Sequence, residues 1–195
     1  MANEPQDDLA AAERRQIAAV RSGDGRAFAA LVEPHLPMLL RVAARGCGGA
    51  LAEDAVQDTL AIAYQRIDSY RPGTSFRSWL ATIAAQRAWT TVRGEMRRRQ
   101  REEAATPRDK PATPEQQVRA QRLAKRVRVA LAKLPEKRRL AATMRLDGGL
   151  SYAEIAAAIG STEGSTRVLV HMALKSLREE LSDLVDIESA TEARR

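Results

Sequence analysis

The sequence predicts an all-α protein of two small helical domains joined by a flexible linker, the second domain carrying a helix-turn-helix. Three observations predict it. Aromatic residues make up 4% of the 195-residue chain, too few for a large β core, and no stretch of useful length alternates apolar and polar residues as a strand would. Apolar residues recur instead at helical spacing, interrupted by breakers such as Gly46-Cys47-Gly48-Gly49. Between Gln100 and Gln117 the run QREEAATPRDKPATPEQQ holds three prolines, mixed charge and no apolar period, which marks an exposed linker. The expected division is a lead-in at 1–23, a first domain at 24–100, the linker at 101–117, a second domain at 118–185 and a tail at 186–195.

After a lead-in read as a short or frayed helix, the first domain is expected to hold three helices. One covers about Arg26 to Arg45 and stops at the glycine-rich breaker. The next covers about Ala52 to Ile67, and the third runs from about Ser75 to near Arg101. Between those two, Asp68-Ser69-Tyr70-Arg71-Pro72-Gly73-Thr74 turns the chain at its Pro-Gly pair. In the second domain a basic helix from about Pro114 to Leu134 precedes Leu134-Pro135-Glu136, where proline suits the first turn of the following helix. That helix closes at Asp147-Gly148-Gly149. Ser151-Tyr152-Ala153-Glu154 reads as a capping box, the serine accepting from the backbone N–H three residues on while the glutamate reaches back. A short helix from Tyr152 to Ile159 stops at Gly160, and the last helix starts near Ser165. Small Ala156, Ala157 and Ala158 let the pair approach closely, as a helix-turn-helix requires.

Formal net charge is +7 with a pI near 10.2. Residues 24–100 hold 11 Arg against 7 acids, and residues 118–185 hold 13 Lys or Arg against 7 acids. Two basic blocks suggest two surfaces for a polyanion, although an excess of Arg also serves solubility. A single cysteine, Cys47, excludes an intramolecular disulfide and a Cys-based zinc site, and His35 and His171 stand far apart. There is no nucleophile–base pairing, metal-ligand spacing or glycine-rich phosphate loop, so neither an enzyme nor a cofactor is expected. No apolar run approaches the ~20 residues that cross a bilayer, and the N-terminus is too acidic and polar for a signal peptide. The expectation is a cytoplasmic protein with no membrane insertion.

Three sequence blocks stand in order: AEDAVQDTL at 52–60, FRSWLATIA at 76–84, and Leu134-Pro135 followed by LSYAEIA at 150–156. Together they resemble the extracytoplasmic-function (ECF) branch of bacterial RNA polymerase sigma factors, over about Asp24 to Leu181. The resemblance implies regions 2 and 4 of such a factor, without the large domain that housekeeping sigma factors carry between them. It implies a dissociable subunit that binds core RNA polymerase, directs it to promoters and helps open the DNA, meeting promoter DNA both as duplex and as single strand. An anti-sigma factor is a further implied partner. Two other readings stay open: a stand-alone helix-turn-helix transcriptional regulator, and a sigma-like decoy that sequesters a regulatory protein.

On the AEDAVQDTL helix, Val56, Leu60, Ala63 and Ile67 share one side while Glu53, Asp54, Gln57 and Asp58 share the other. First-turn acids complement the helix dipole in any protein; the resemblance implies that this face docks on the polymerase. In the third helix Thr82, Gln86, Trp89, Arg93 and Arg97 fall on one face. An indole among cations suits stacking on an unpaired base, or it packs between helices. Phe76, Trp79, Leu80 and Ile83 read as a core stripe. The loop Ser69 to Thr74 corresponds by resemblance to a specificity loop that holds a flipped base, with Tyr70 and Arg71 as lining residues. The family commonly has Asn at the position of Gln86 and Asp at that of Thr90.

In the second domain Lys137, Arg138, Arg139 and Arg145 bring charge ahead of the motif, for phosphates or for a solvated face. On the last helix Val170, Ala173, Leu174, Leu177 and Leu181 are the expected core stripe. Arg167, Val168, His171, Met172, Lys175 and Arg178 are the expected upstream-promoter surface. Relatives often carry Arg where this chain has Leu169 and Met172, so fewer polar base contacts are expected here.

Overall fold

The computed structural model describes residues 4–71, 75–102 and 115–182, with side chains over 11–71, 75–91 and 119–182. Among the described residues it is all helical: nine α-helices and three 3-10 turns, with no strand. The lead-in is an 18-residue helix, α1 (Glu4–Arg21), whose Ile17 and Val20 are buried in the core. The chain turns at Gly23, whose φ of +97° suits glycine. Asp24 then caps α2 (Gly25–Val32), its carboxylate accepting from the N–H groups of Arg26 and Ala27 at 2.8 and 3.1 Å.

The single helix expected from Arg26 to Arg45 is two. A 3-10 turn, Glu33–His35, separates α2 from α3 (Leu36–Cys47), with Pro34 and Pro37 each in the first turn of the segment it opens. Proline lacks the N–H a continuous helix needs and its ring crowds the preceding turn, so the apolar stripe continues while the axis breaks. Residues Gly25–Cys47 also correct the expectation of no long apolar run: an 18-residue window of this 23-residue stretch has a mean hydropathy of 1.3, enough in length and composition to cross a membrane. It is bent at the prolines, and its Leu31, Val32, Met38, Leu39 and Val42 fill the core.

A 3-10 turn, Gly49–Leu51, leads into α4 (Ala52–Gln65), and Ile67–Ser69 closes it; α5 (Phe76–Glu102) follows. Phe76, Leu39, Leu80 and Val42 are wholly buried where α3, α4 and α5 meet. Gly46 permits the contact between α3 and α5, since a Cβ there would lie 2.6 Å from that of Ala88.

The C-terminal helices are α6 (Glu115–Ala132), α7 (Glu136–Leu146), α8 (Tyr152–Ile159) and α9 (Glu163–Glu180). The capping box forms: Ser151 Oγ accepts from the Glu154 N–H at 3.2 Å, and the Glu154 carboxylate accepts from the Ser151 N–H at 2.8 Å. Gly160 ends α8 in the left-handed region. α9 begins two residues earlier than expected, because Thr162 and not a residue near Ser165 is its cap, accepting from the Ser165 N–H at 3.2 Å. Leu131, Met144, Leu150, Ile155 and Val170 make its core.

These two helical units pack against each other. One hydrophobic core runs through both, with α3 meeting α6 and α7, and α5 meeting α7 and α8. Of the linker expected at 101–117, residues 103–114 lie outside the described residues; 101–102 extend α5 and 115–117 open α6. The expected tail lies outside them too.

Candidate functional site

Three surfaces gather the residues singled out above. On α4 the chain offers no side-chain cap, since Leu51 occupies that position, so Glu53 and Asp54 in the first turn meet unpaired N–H groups and the positive end of the helix dipole. Both are exposed, as is Gln57, while Ala55, Val56, Thr59 and Ala63 are buried beneath them. Asp58 differs from its neighbours: it accepts from Arg87 of α5 through Nη2 at 2.5 Å and Nε at 2.9 Å. At this half-exposed site the pair is worth little in stability and serves to fix α4 against α5.

Along the second surface, Tyr70 is 3% exposed. Its ring meets Phe76 edge-on at 5.4 Å and Trp79 at 5.6 Å, and its hydroxyl donates to Glu13 of α1 at 3.3 Å. Burial pushes the Glu13 carboxyl above its ordinary pKa, with the Tyr70 hydrogen bond pulling the other way. From α1, Arg21 Nη2 donates to the carbonyls of Tyr70 at 2.6 Å and Ile67 at 3.2 Å. The first half of the loop is therefore anchored by the lead-in helix, and Arg71 is exposed beyond it. Residues 72–74 lie outside the described residues.

On α5 the expected face divides. Gln86 is exposed, whereas Trp89 is 4% exposed with the Arg139 guanidinium 5.0 Å over its ring. Thr82 is half-buried, its hydroxyl 3.6 Å from Met144 Sδ of α7. Arg93 and Arg97 sit on the helix backbone, but their side chains lie outside the described ones. Arg139, expected on a charged face, is buried and donates to the carbonyls of Ala132 and Leu134 at 3.3 and 3.1 Å. α7 thus covers part of the face that α5 was expected to offer.

The third surface is α9. Thr166, Val170, Ala173 and Leu177 are buried against the core, with Leu181 partly so. Leu174, expected in that stripe, is 38% exposed; Thr166 takes the inward place one turn before Val170. Arg167, Val168, His171, Met172, Lys175 and Arg178 are all exposed, Val168 at 55% and Met172 at 43%. Leu169 is partly buried and packs on the core. Arg167 is held by Glu163 at 2.6 Å and lies 4.7 Å over the ring of Tyr152, which Arg145 also approaches at 4.8 Å. Arg138 reaches Met172 Sδ at 3.7 Å.

Sequence reasoning missed the contacts that tie the two units. Arg45 pairs with Asp147, Arg41 and Arg77 bond carbonyls of the same turn, and Ser75 Oγ donates to Glu154 at 3.0 Å. The one local signal was two arginines four apart on an otherwise apolar helix. Cys47 is buried, and burial pushes its thiol up, away from a nucleophilic thiolate. Among the described residues no group of His, Cys, Asp and Glu has the arrangement to hold a metal ion.

Residues 31–103 match the family model Sigma-70 region 2, and residues 124–177 match Sigma-70, region 4. The RNA polymerase sigma factor CarQ of Myxococcus xanthus is 34% identical over 168 residues, 84% of this chain and 94% of its own length. The ECF RNA polymerase sigma-E factor of Escherichia coli K12 is 27% identical over 176 residues, 85% of this chain and 92% of its own. Among solved structures, CnrH in complex with the cytosolic domain of CnrY superposes with a TM-score of 0.60 at 26% identity, over 90% of this chain and 98% of CnrH.

Proposed function

The chain belongs to the ECF family of RNA polymerase sigma factors, a sigma subunit that directs polymerase to promoters, and on that premise we propose how its surfaces divide the work. The exposed acids of α4 dock on core polymerase: Glu53, Asp54 and Gln57 face the partner, and Asp58 holds the helix at the right angle through Arg87. Charge complementarity there sets orientation and encounter rate more than affinity. Gln86, Trp89, Arg93 and Arg97 of α5, with Arg71 of the loop, serve the opened downstream element; Tyr70 supports the loop from within the core. Arg167, Val168, His171, Met172, Lys175 and Arg178 enter the major groove of the upstream element. Region 2 takes residues 24–100 together with α1, and region 4 takes 118–185.

No covalent chemistry is assigned to the protein, and it needs no cofactor; its place of work is the cytoplasm, with polymerase. An anti-sigma factor is its regulatory partner, a reading supported by the similar sigma factor RpoE of Bartonella quintana, solved in complex with the anti-sigma factor NepR. Trp89 stacks on a base only after α7 and Arg139 withdraw from its ring, so productive binding separates the two units.

The observation that carries this division is the acidic exposed face of α4, set within an otherwise basic unit and backed by one internal ion pair. Replacing Glu53, Asp54 and Gln57 together by Ala leaves the Asp58–Arg87 pair intact, so loss of docking is separable from loss of fold. Binding to core polymerase, followed by fluorescence titration, is expected to weaken about tenfold or more, with the thermal midpoint lowered only slightly, by the loss of the two first-turn acids. Unchanged affinity in that variant removes α4 as the docking face.

A further inference from the structure

Arg41 and Arg45 stand one turn apart on α3, and Arg77 lies in the first turn of α5. All three reach the turn between α7 and α8. Arg45 grips the Asp147 carboxylate with Nε 3.0 Å from both oxygens and Nη2 2.9 Å from Oδ1. Arg41 Nε donates to the Asp147 carbonyl at 3.2 Å, and Arg77 Nη2 donates to that of Gly148 at 2.6 Å. The Asp147 side chain is only 11% exposed. The turn is shaped for this seat: a Cβ at Gly148 would lie 2.6 Å from the Met144 carbonyl oxygen.

Like charges one turn apart on a helix repel, and two carboxylates, Asp147 in direct contact and Glu154 near Arg77, leave the three guanidinium groups with a net positive charge. Arg128 of α6 adds a fourth cation, packed over Gly48 and raising the potential at Arg45. The first three belong to α3 and α5, which Gly46 locks together, so their spacing survives when the second unit moves away. A guanidinium fork that holds a carboxylate through two oxygens accepts a phosphate in the same geometry.

We propose that Arg41, Arg45 and Arg77 form a binding site for a backbone phosphate of promoter DNA, and that Asp147 fills it as an internal substitute while the two units are packed together. The inference rests on reading α5 as the surface for the opened downstream promoter, since Thr82 on the same helix is covered by the same α7. DNA and the α7–α8 turn are then exclusive occupants of one set of cations. Closure hides the site, and phosphate binding holds the protein open.

The test uses the full chain without polymerase and a fluorescent fork fragment, duplex upstream with an unpaired non-template strand, read by anisotropy across a salt series. Asp147→Ala is expected to bind about three- to tenfold tighter, the factor by which the open, competent fraction rises. Adding Arg45→Ala to it should cancel the gain and lower the slope of log affinity against log salt by about one, the signature of one lost phosphate contact. If that double variant keeps the tighter binding and the full slope, the arginines hold no phosphate and the proposal fails. If Arg45→Ala instead weakens binding to core polymerase while DNA affinity and slope stand, the cations belong to a protein contact, which also overturns it. Arg77→Gln in the Asp147→Ala background decides the matter should the Arg45 variant fail to fold. A gain that depends on Arg45 but not on Gln86 supports the phosphate site and removes the base-reading role of α5, so the two readings fail separately.

Discussion

The N-terminal helices around Phe76 and the helix-turn-helix at the other end reach stability by different means. α3 and α4 have no side-chain cap, and their place is set by large buried groups, Phe76, Leu39, Leu80 and Val42, with the Tyr70, Phe76 and Trp79 rings clustered beside them. α8 has eight residues, too few to hold a helix alone, and it is fastened at both ends by the Ser151–Glu154 box and Gly160. α9 opens on its own cap at Thr162, the two helices are in contact, and small Ala156, Thr166 and Ala173 are buried on them. In one unit geometry depends on contacts far apart in sequence, so damage spreads. In the other the helix ends are set by neighbours three residues away, so damage to a cap stays local.

The largest test of that contrast is Leu80→Ala. Deleting a wholly buried leucine side chain should cost ~2–5 kcal/mol in a denaturant titration, and hydrogen exchange should speed in α3, α4 and α5 together. Faster exchange confined to α5 breaks the contrast. Next comes Gly46→Ala, expected to cost ~1–3 kcal/mol by overpacking, because the new methyl meets the Ala88 Cβ and, at 3.2 and 3.3 Å, backbone atoms of Ala88 and Trp89. A neutral result in the same titration would show that α3 and α5 can slide apart freely.

The smallest effect is Ser151→Ala, expected to cost about 1 kcal/mol through the lost cap, with faster exchange in α8 alone. This site also carries a pH dependence. Burial pushes the Glu154 carboxyl up, but hydrogen bonds from the Ser151 N–H and hydroxyl and from Ser75, with the Arg77 charge nearby, outweigh it and leave the folded pKa below the ordinary 4.5. A group lowered on folding adds stability above its unfolded pKa and loses it as pH falls through the folded value. Protection of the first α8 amides should therefore fall on mild acidification in the parent protein and not in Glu154→Gln. Equal pH profiles for the two proteins would remove Glu154 from the cap.

Local chemistry was legible from the residues. Ser151 and Glu154, the limits of α8, the inward and outward sides of α4 and the Phe76 to Ile83 stripe all follow from spacing, because the interactions that fix them lie within a turn or two. The break at Pro34 and Pro37 was carried by the sequence too, but the apolar stripe runs unbroken across it and hides the change of axis. α1 showed little, since a polar helix held by Ile17 and Val20 is recruited by its neighbours and not by its own pattern. Trp89 and Tyr70 mark the real boundary. An aromatic ring on a helix face has the same spacing whether it meets a base or a neighbouring helix, and Arg139 arrives over Trp89 from 50 residues away. The ion pair of Arg45 with Asp147 spans 102 positions and leaves no periodic trace.

The Arg21 clamp has a practical consequence for anyone trimming or fusing this protein. A chain shortened to start at Asp24, or at Leu31 where the match to region 2 begins, would keep every helix from α3 onward. It would nonetheless lose the donor to the Ile67 and Tyr70 carbonyls and the acceptor for the Tyr70 hydroxyl. The stiffness of the loop that carries Arg71 can therefore be adjusted from the far end of the polypeptide. Edits in α1 reach the backbone at Ile67 and Tyr70 while leaving Arg71 and the helices beyond it as they are.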